Sequence, residues 1–342
     1  MPTRRYVAPR NAIEHQLARI WEDLLDRRPI GVEENFFEAG GDSILAMSLL
    51  ARIAHELGCN LPPAGILQAA TIEKLAVALR QGARPEDWSP LVPIQAEGGK
   101  PPFFCVHPGG GNVLCYLQLS KQLGADRPFY GLQCPGVDGV LQPVAQAEQM
   151  ARQYVAAIRQ VQPRGPYAVG GWSVGGVFAY EIAQQLRAAG EQVRLLAILD
   201  SGILYACALL TAIFPKGDTG ILDVLRMASP EQIGEFRRRS APARLIPDNA
   251  DDEFALRLFR LFASNMRAVL EYQAQPYAGP LALFQAAESL VKPRFEPRHE
   301  WARLCDQVEV QIVPGNHLNM IHEPHVQVLG HLLRQRLEAT DG

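Results

Sequence analysis

The sequence predicts two units: a small all-α helix bundle over residues 1–80, and from residue 91 an α/β domain built on a mostly parallel sheet. Three observations carry this. Before residue 80 the apolar residues recur only with helical spacing. From Leu91 onward, short apolar runs alternate with helical patterns. Between them lies Gln81 to Pro90, polar and broken by Pro and Gly, which reads as a linker. Strands that are apolar throughout, alternating with helices, imply parallel pairing with both faces covered.

The first helix runs from Ala12 to Leu25, with Ile13, Leu17, Ile20, Trp21, Leu24 and Leu25 on one face. Asn11 is placed to cap it, and Pro9 stops it from starting earlier. A second helix spans Ser43 to Leu57. Shorter ones cover Ala64–Ala69 and Thr71–Leu79, where Thr71 and Glu73 mark the start. In the second unit, strands are expected at Leu91–Ile94, Pro102–Val106, Phe129–Leu132, Tyr167–Gly170, Val193–Leu199, Leu281–Phe284 and Val308–Val313. Helices fall near Val144–Val161 and Val174–Ala189, and a final helix starts near His325. The stretch 202–267 breaks the alternation and carries helical patterns at Ile221–Met227 and Phe254–Leu270. An insertion there lies over the carboxyl ends of the strands, so it is expected to form a helical lid.

Composition narrows the function classes. Hydrophobic content of 48% with 20% charged residues suits a globular protein. A net charge of −3 offers no electrostatic footprint for nucleic acid or an acidic membrane. The six cysteines are scattered, without metal or disulfide spacing, and the N-terminus lacks the apolar core of a secretion signal. A reducing, cytoplasmic setting is expected. Leu195–Phe214 is apolar enough to suggest a membrane span, but Asp200 falls inside it. A charge there costs roughly 2.5–3.5 kcal/mol on insertion scales, so a buried strand followed by a helix fits better.

Gly171-Trp172-Ser173-Val174-Gly175-Gly176 sits between a strand and a helix, the context of a nucleophile elbow in an α/β-hydrolase. The turn strains the serine, so the neighbouring positions must lack side chains that would collide. Ser173 needs a base, and chain order in this fold runs serine, acid, histidine. His317 follows the strand Val308–Val313 in a Pro-Gly-Asn turn; His299, His322 and His325 lack that placement. The acid is Asp200, directly at a strand end, or Glu288, which follows the next strand after three residues; Asp200 is favoured. The alternative role for Asp200 is to cap the following helix. His107-Pro108-Gly109-Gly110-Gly111 supplies backbone for an oxyanion hole: the Val174 N–H with that of Gly110 or Gly109. His107 itself reads as structural.

A further serine, Ser43, stands at a helix start after Gly40-Gly41-Asp42. Either Asp42 or Ser43 caps the helix and nothing more, or the free N–H groups there favour an attached phosphate. Val32–Leu50, with its Gly40–Ile44 motif, resembles the phosphopantetheine attachment region of a peptidyl carrier. Tyr6–Arg10 is similar to the stretch that follows an adenylation domain in nonribosomal peptide synthetases. From Leu91 on the chain resembles the terminal thioesterase of such synthetases, in Tyr130–Gly136, the Gly171–Gly176 elbow, Leu199-Asp200-Ser201, Tyr277–Pro280 and Val313–His317. It departs from the pattern at Asp42, where His often stands. The resemblance implies a carrier at 1–80, a linker at 81–90 and a thioesterase at 91–342. It implies 4'-phosphopantetheine on Ser43, installed by a phosphopantetheinyl transferase, and a peptidyl thioester delivered by upstream synthetase domains.

On this reading Ser173 accepts the chain as an ester, and water or an internal nucleophile releases it as a linear acid or a ring. The lid residues Leu222, Leu225, Leu256, Leu258, Phe259, Leu261 and Phe262 either pack the lid or line a dry pocket, and a dry pocket favours the ring. A free-standing serine esterase or lipase with an accessory helical domain is the alternative; it predicts no modification at Ser43.

Overall fold

The computed structural model describes residues 6–82, 88–138, 141–213, 234, 236–238 and 246–341. The centre of the expected linker and the pattern Ile221–Met227, with Leu222 and Leu225, lie outside the described residues.

Helix α1 (Ala12–Leu25) starts where Asn11 Oδ1 accepts the Glu14 N–H at 3.1 Å and ends at Asp26 in the left-handed region, φ 47°. Its face of Leu17, Ile20 and Trp21 is fully buried. At about 1.5–3 kcal/mol for each large side chain withdrawn from water, this burial outweighs any helix propensity. α2 (Ser43–Leu57), α3 (Pro63–Gln68) and α4 (Ile72–Gln81) complete the bundle, and the Trp21 and Phe36 rings meet edge to face with centroids 4.9 Å apart.

The second unit is a seven-stranded sheet in the order β1-β3-β2-β4-β5-β6-β7. Its strands are β1 (Leu91–Gln95), β2 (Phe103–Val106), β3 (Phe129–Leu132), β4 (Tyr167–Trp172), β5 (Val193–Leu199), β6 (Tyr277–Glu288) and β7 (Cys305–Asn316). Only the β1–β3 pairing is antiparallel. Side chains alternate between two cores, as a period of two requires. Phe104, Val106, Leu196 and Ile198 pack with α6 (Ala147–Val161) and α7 (Val174–Ala188). Phe103, Cys105, Leu195 and Ala197 pack with α5 (Leu117–Leu123) and the final helix α11 (His325–Ala339).

Three further helices shape the site: α8 (Ile203–Ile213), the lid helix α9 (Asp252–Glu271) and α10 (Pro297–Leu304). The apolar run containing Asp200 is therefore a buried strand and a helix, and among the described residues no helix is long and apolar enough to cross a membrane.

β6 and β7 exceed their apolar centres because their backbones pair outward as far as Glu288 and Asn316. Hydropathy does not report such pairing. The short helices α5 and α10 were not expected at all: one has seven residues, the other is largely polar and buries Pro297 and Trp301.

The bundle rests against the lid. Asn249 Nδ2 donates to the Ser48 carbonyl at 2.9 Å, and Arg257 Nη1 donates to Asn60 Oδ1 at 2.9 Å. His55 lies 3.7 Å from Asp251, whose other oxygen caps α9.

Candidate active site

The elbow is built by close approach. A Cβ on Gly171 would lie 2.2 Å from the Gly175 carbonyl oxygen, and one on Gly175 would lie 2.4 Å from the Val106 oxygen. Only glycine lets α7 start this near the strand ends. Ser173 sits between them at φ 59°, a conformation costing roughly 1–3 kcal/mol for a side-chain-bearing residue. Packing holds it there: the Ser173 N–H donates to Leu199 O at 3.1 Å. The buried Tyr116 hydroxyl accepts the Trp172 N–H and donates to Val106 O, fixing the strand just ahead of the turn.

His317 reaches Ser173 from the far edge of the sheet. Gly315 at φ 84° turns the chain, and Asn319 Oδ1 accepts the Asn316 N–H at 2.7 Å. The imidazole then places Nε2 3.1 Å from Ser173 Oγ and Nδ1 2.9 Å from Asp200 Oδ2. Trp172 lies against one face of the ring and Tyr205 meets its edge. Asp200, also at positive φ, is 1% exposed and fully engaged. Its Oδ1 accepts the Ala286 N–H at 3.0 Å, and its Oδ2 also accepts the Tyr205 hydroxyl at 2.5 Å. Burial beside this carboxylate pushes the Tyr205 phenol far above its ordinary value, so it stays a donor.

Asp200 does not cap the following helix. Glu300, from α10, accepts the N–H groups of Ile203 at 2.9 Å and Leu204 at 3.0 Å. Burial raises its carboxyl above the usual range. Glu288 is exposed and sits opposite Asn316 in the β6–β7 ladder.

Ser173, Val174, Gly109 and Gly110 line one cavity of about 1330 Å³, and Val174 is the first residue of α7, where N–H groups have no partner within the helix. Ser43 lines the same cavity. Asp42 alone caps α2, its Oδ1 accepting from Ile44 at 2.9 Å and Leu45 at 2.8 Å. Those N–H groups are therefore committed, and the half-buried Ser43 is left out of the cap. A serine facing an open cavity at an already capped helix start fits a long covalent arm. Of the expected lid residues, Leu258 and Phe262 line the cavity, while Phe259 packs on Phe236 and so serves the lid's own core.

His107 is fully buried between Pro108 O and the Tyr154 hydroxyl, each 2.7 Å away, and burial lowers its pKa to about 4. His322 lines the cavity, His325 packs near Gly315 and His299 is exposed. Sequence reasoning missed Tyr205, Trp172's tilted ring contact with His317, Tyr116 and the Ala286 amide. None belongs to a motif by itself, although a tyrosine five residues after the acid was visible.

Residues 101–335 match the family described as Thioesterase domain. The chain belongs to the thioesterase domain family. Ahead of this thioesterase region, residues 15–79 match the family described as Phosphopantetheine attachment site, whose members carry the cofactor covalently on a serine.

The whole arrangement has relatives. A dimodular nonribosomal peptide synthase of Bacillus subtilis (strain 168) is 29% identical over 96% of this chain and 14% of its own length. Malpibaldin synthetase of Mortierella alpina is 31% identical over 98% of this chain and 6% of its own. The chain thus spans only a small part of these relatives. Among solved structures, a holo four-domain nonribosomal peptide synthetase bound to AMP and glycine superposes with TM-score 0.63, at 28% identity, covering 98% of this chain and 27% of that one. The NocB thioesterase domain in covalent complex with a fluorophosphonate nocardicin G analogue superposes with TM-score 0.57, at 27% identity, covering 72% of this chain and 99% of its own.

Proposed function

We propose that the chain is the carrier–thioesterase pair of a nonribosomal peptide synthetase, with a carrier at 1–80, a linker at 81–90 and a thioesterase at 91–342. It releases a peptidyl chain supplied by upstream synthetase domains. The observation that carries this is the pair of serines, Ser43 and Ser173, lining one cavity, with only Ser173 of the two bonded to a histidine. Phosphopantetheine on Ser43, added by a phosphopantetheinyl transferase, supplies a thiol that holds the chain as a thioester. The match over residues 15–79 speaks against a free-standing esterase or lipase.

Release follows from the geometry. Ser173 Oγ bonds to the thioester carbonyl carbon as its proton passes to His317 Nε2. Asp200 accepts from Nδ1, holds that tautomer and stabilises the cation without taking the proton. The N–H groups of Val174 and Gly110 bind the developing oxyanion. The carbon–sulfur bond breaks, and His317 returns the proton to the departing sulfur. Water, or an amine or hydroxyl of the bound chain, then gives its proton to His317 and attacks the Ser173 ester. The product is a linear acid or a ring, and the serine is regenerated. Leu209, Leu210, Ile246, Leu258, Phe262 and Met266 give the cavity an apolar wall that suits a folded chain.

Incubation with coenzyme A and a transferase should add one phosphopantetheine mass to the wild type and none to Ser43→Ala. An unmodified wild type, under conditions that modify a control carrier, would remove the carrier assignment. Loading with a peptidyl group that bears an internal nucleophile, then weighing the products, separates ring from acid.

A further inference from the structure

We infer that Asn265, on the lid helix, is a positioning residue that fixes which way the oxyanion-binding peptide of the Pro108–Gly111 turn faces. This rests on the Ser173 reading above. The turn is closed by the Gly111 N–H donating to Pro108 O at 2.9 Å, so Gly109–Gly110 is its central peptide. Turns of types I and II differ by a flip of that peptide, which exchanges the directions of its C=O and N–H. Glycine on both sides leaves both states open, so the turn's own sequence does not choose between them.

Asn265 chooses. It is fully buried, and its Nδ2 donates to the Gly109 carbonyl at 3.0 Å. Its Oδ1 faces the Cys134 thiol at 3.3 Å, a single proton shared with Pro135 O at 3.2 Å, and that donor favours this orientation of the amide. Because the peptide is trans, the Gly110 N–H lies antiparallel to the Gly109 carbonyl and faces away from Asn265. Gly109 and Gly110 both line the cavity and Asn265 does not, so an N–H turned away from Asn265 is turned away from the lid helix at a peptide that borders the cavity. One turn earlier on the same helix, Phe262 packs over Gly109, 3.0 Å from where a Cβ would stand, and limits movement of the loop. Flipping the peptide would set its N–H against the Asn265 amide donor and withdraw a donor from the oxyanion.

The test uses the full chain, a soluble thioester substrate, an alkyl boronic acid that forms a tetrahedral adduct on serine, and a thioether analogue with no carbonyl to attack. Asn265→Leu removes both hydrogen bonds at similar volume. It should lower kcat by about ten- to a hundredfold, a fraction of what losing one oxyanion donor costs. Boronate affinity should fall in parallel, while KM and thioether affinity stay within about twofold, since the loss is confined to the transition state. If that variant does not fold, Asn265→Asp is near-isosteric. It places an acceptor where the donor was and should favour the flipped peptide, so kcat should fall at least as far. A merely structural role would lower the melting temperature with kcat and boronate affinity unchanged, or weaken boronate and thioether equally; either result overturns the inference. Turnover retained by Ser173→Ala would instead overturn the Ser173 reading beneath it.

Discussion

Two serines in this molecule follow glycines and open helices, and they differ in almost everything else. Ser43 starts α2 behind Asp42, which caps the helix from ordinary extended backbone at φ −126°, and the serine itself carries no strain. Ser173 occupies the cap position itself at φ 59°, makes no cap hydrogen bond, and sits in a glycine-lined turn no other residue type would fit. Its hydroxyl meets an imidazole; Ser43, half-buried, lines the same cavity. Helix-start position is thus common to the proposed attachment point and the proposed nucleophile. Backbone strain and a base within reach are what separate them.

The largest expected effects break the Ser173 side of this comparison. Ser173→Ala and His317→Ala should each cost about 10⁶ in turnover of any thioester, because such groups act as a unit. Asp200→Asn should cost on the order of 10⁴ through the wrong imidazole tautomer. Glu288→Gln, in the exposed strand end, should change little, and a loss there as large as that of Asp200→Asn would reassign the acid.

On the other side, Ser43→Ala should abolish release of carrier-loaded chains while soluble thioesters are still hydrolysed at the wild-type rate. Equal loss on both substrates would mean Ser43 supports the fold rather than the arm. Next come the contacts that hold the two serines on one cavity. Arg257→Ala or Asn249→Ala removes a hydrogen bond to a neutral partner, a net roughly 0.5–1.5 kcal/mol, so carrier-delivered release should slow by at most about tenfold. Hydrolysis of soluble thioesters should not change, and a comparable fall there would place these residues in the site itself.

The last prediction is read in stability and not in turnover, and concerns His107, beside the Pro108–Gly111 turn. Its folded pKa of about 4 lies below the ordinary value near 6.5. Between those values the unfolded chain binds a proton that the folded protein does not. Stability is therefore full above about pH 6.5 and falls as pH drops toward 4. Urea midpoints measured across that range should show the slope in the wild type and lose it in His107→Gln.

What was legible in the sequence follows the same division. That Ser173, His317 and Asp200 would meet was readable because a strand-to-helix elbow and strand ends are local in sequence, and glycine spacing reports close backbone approach. The first two helices were readable to the residue because Asn11 and Leu57 bracket clean helical periods. Asn265 and Glu300 were not, because each acts across the fold: on a turn carbonyl and on another helix's first N–H groups. Nothing in their neighbours along the chain announces such partners.

The central claim is that one chain passes from Ser43 to Ser173 inside a single molecule. Protein carrying an acylated arm on Ser43 can be quenched at successive times, digested, and the two serine-bearing peptides weighed. The acyl mass should leave the Ser43 peptide as it appears on the Ser173 peptide, at a first-order rate independent of protein concentration. Loss from Ser43 with no acyl mass ever found on Ser173, even in a variant slowed at deacylation, or a transfer rate proportional to concentration, would contradict it.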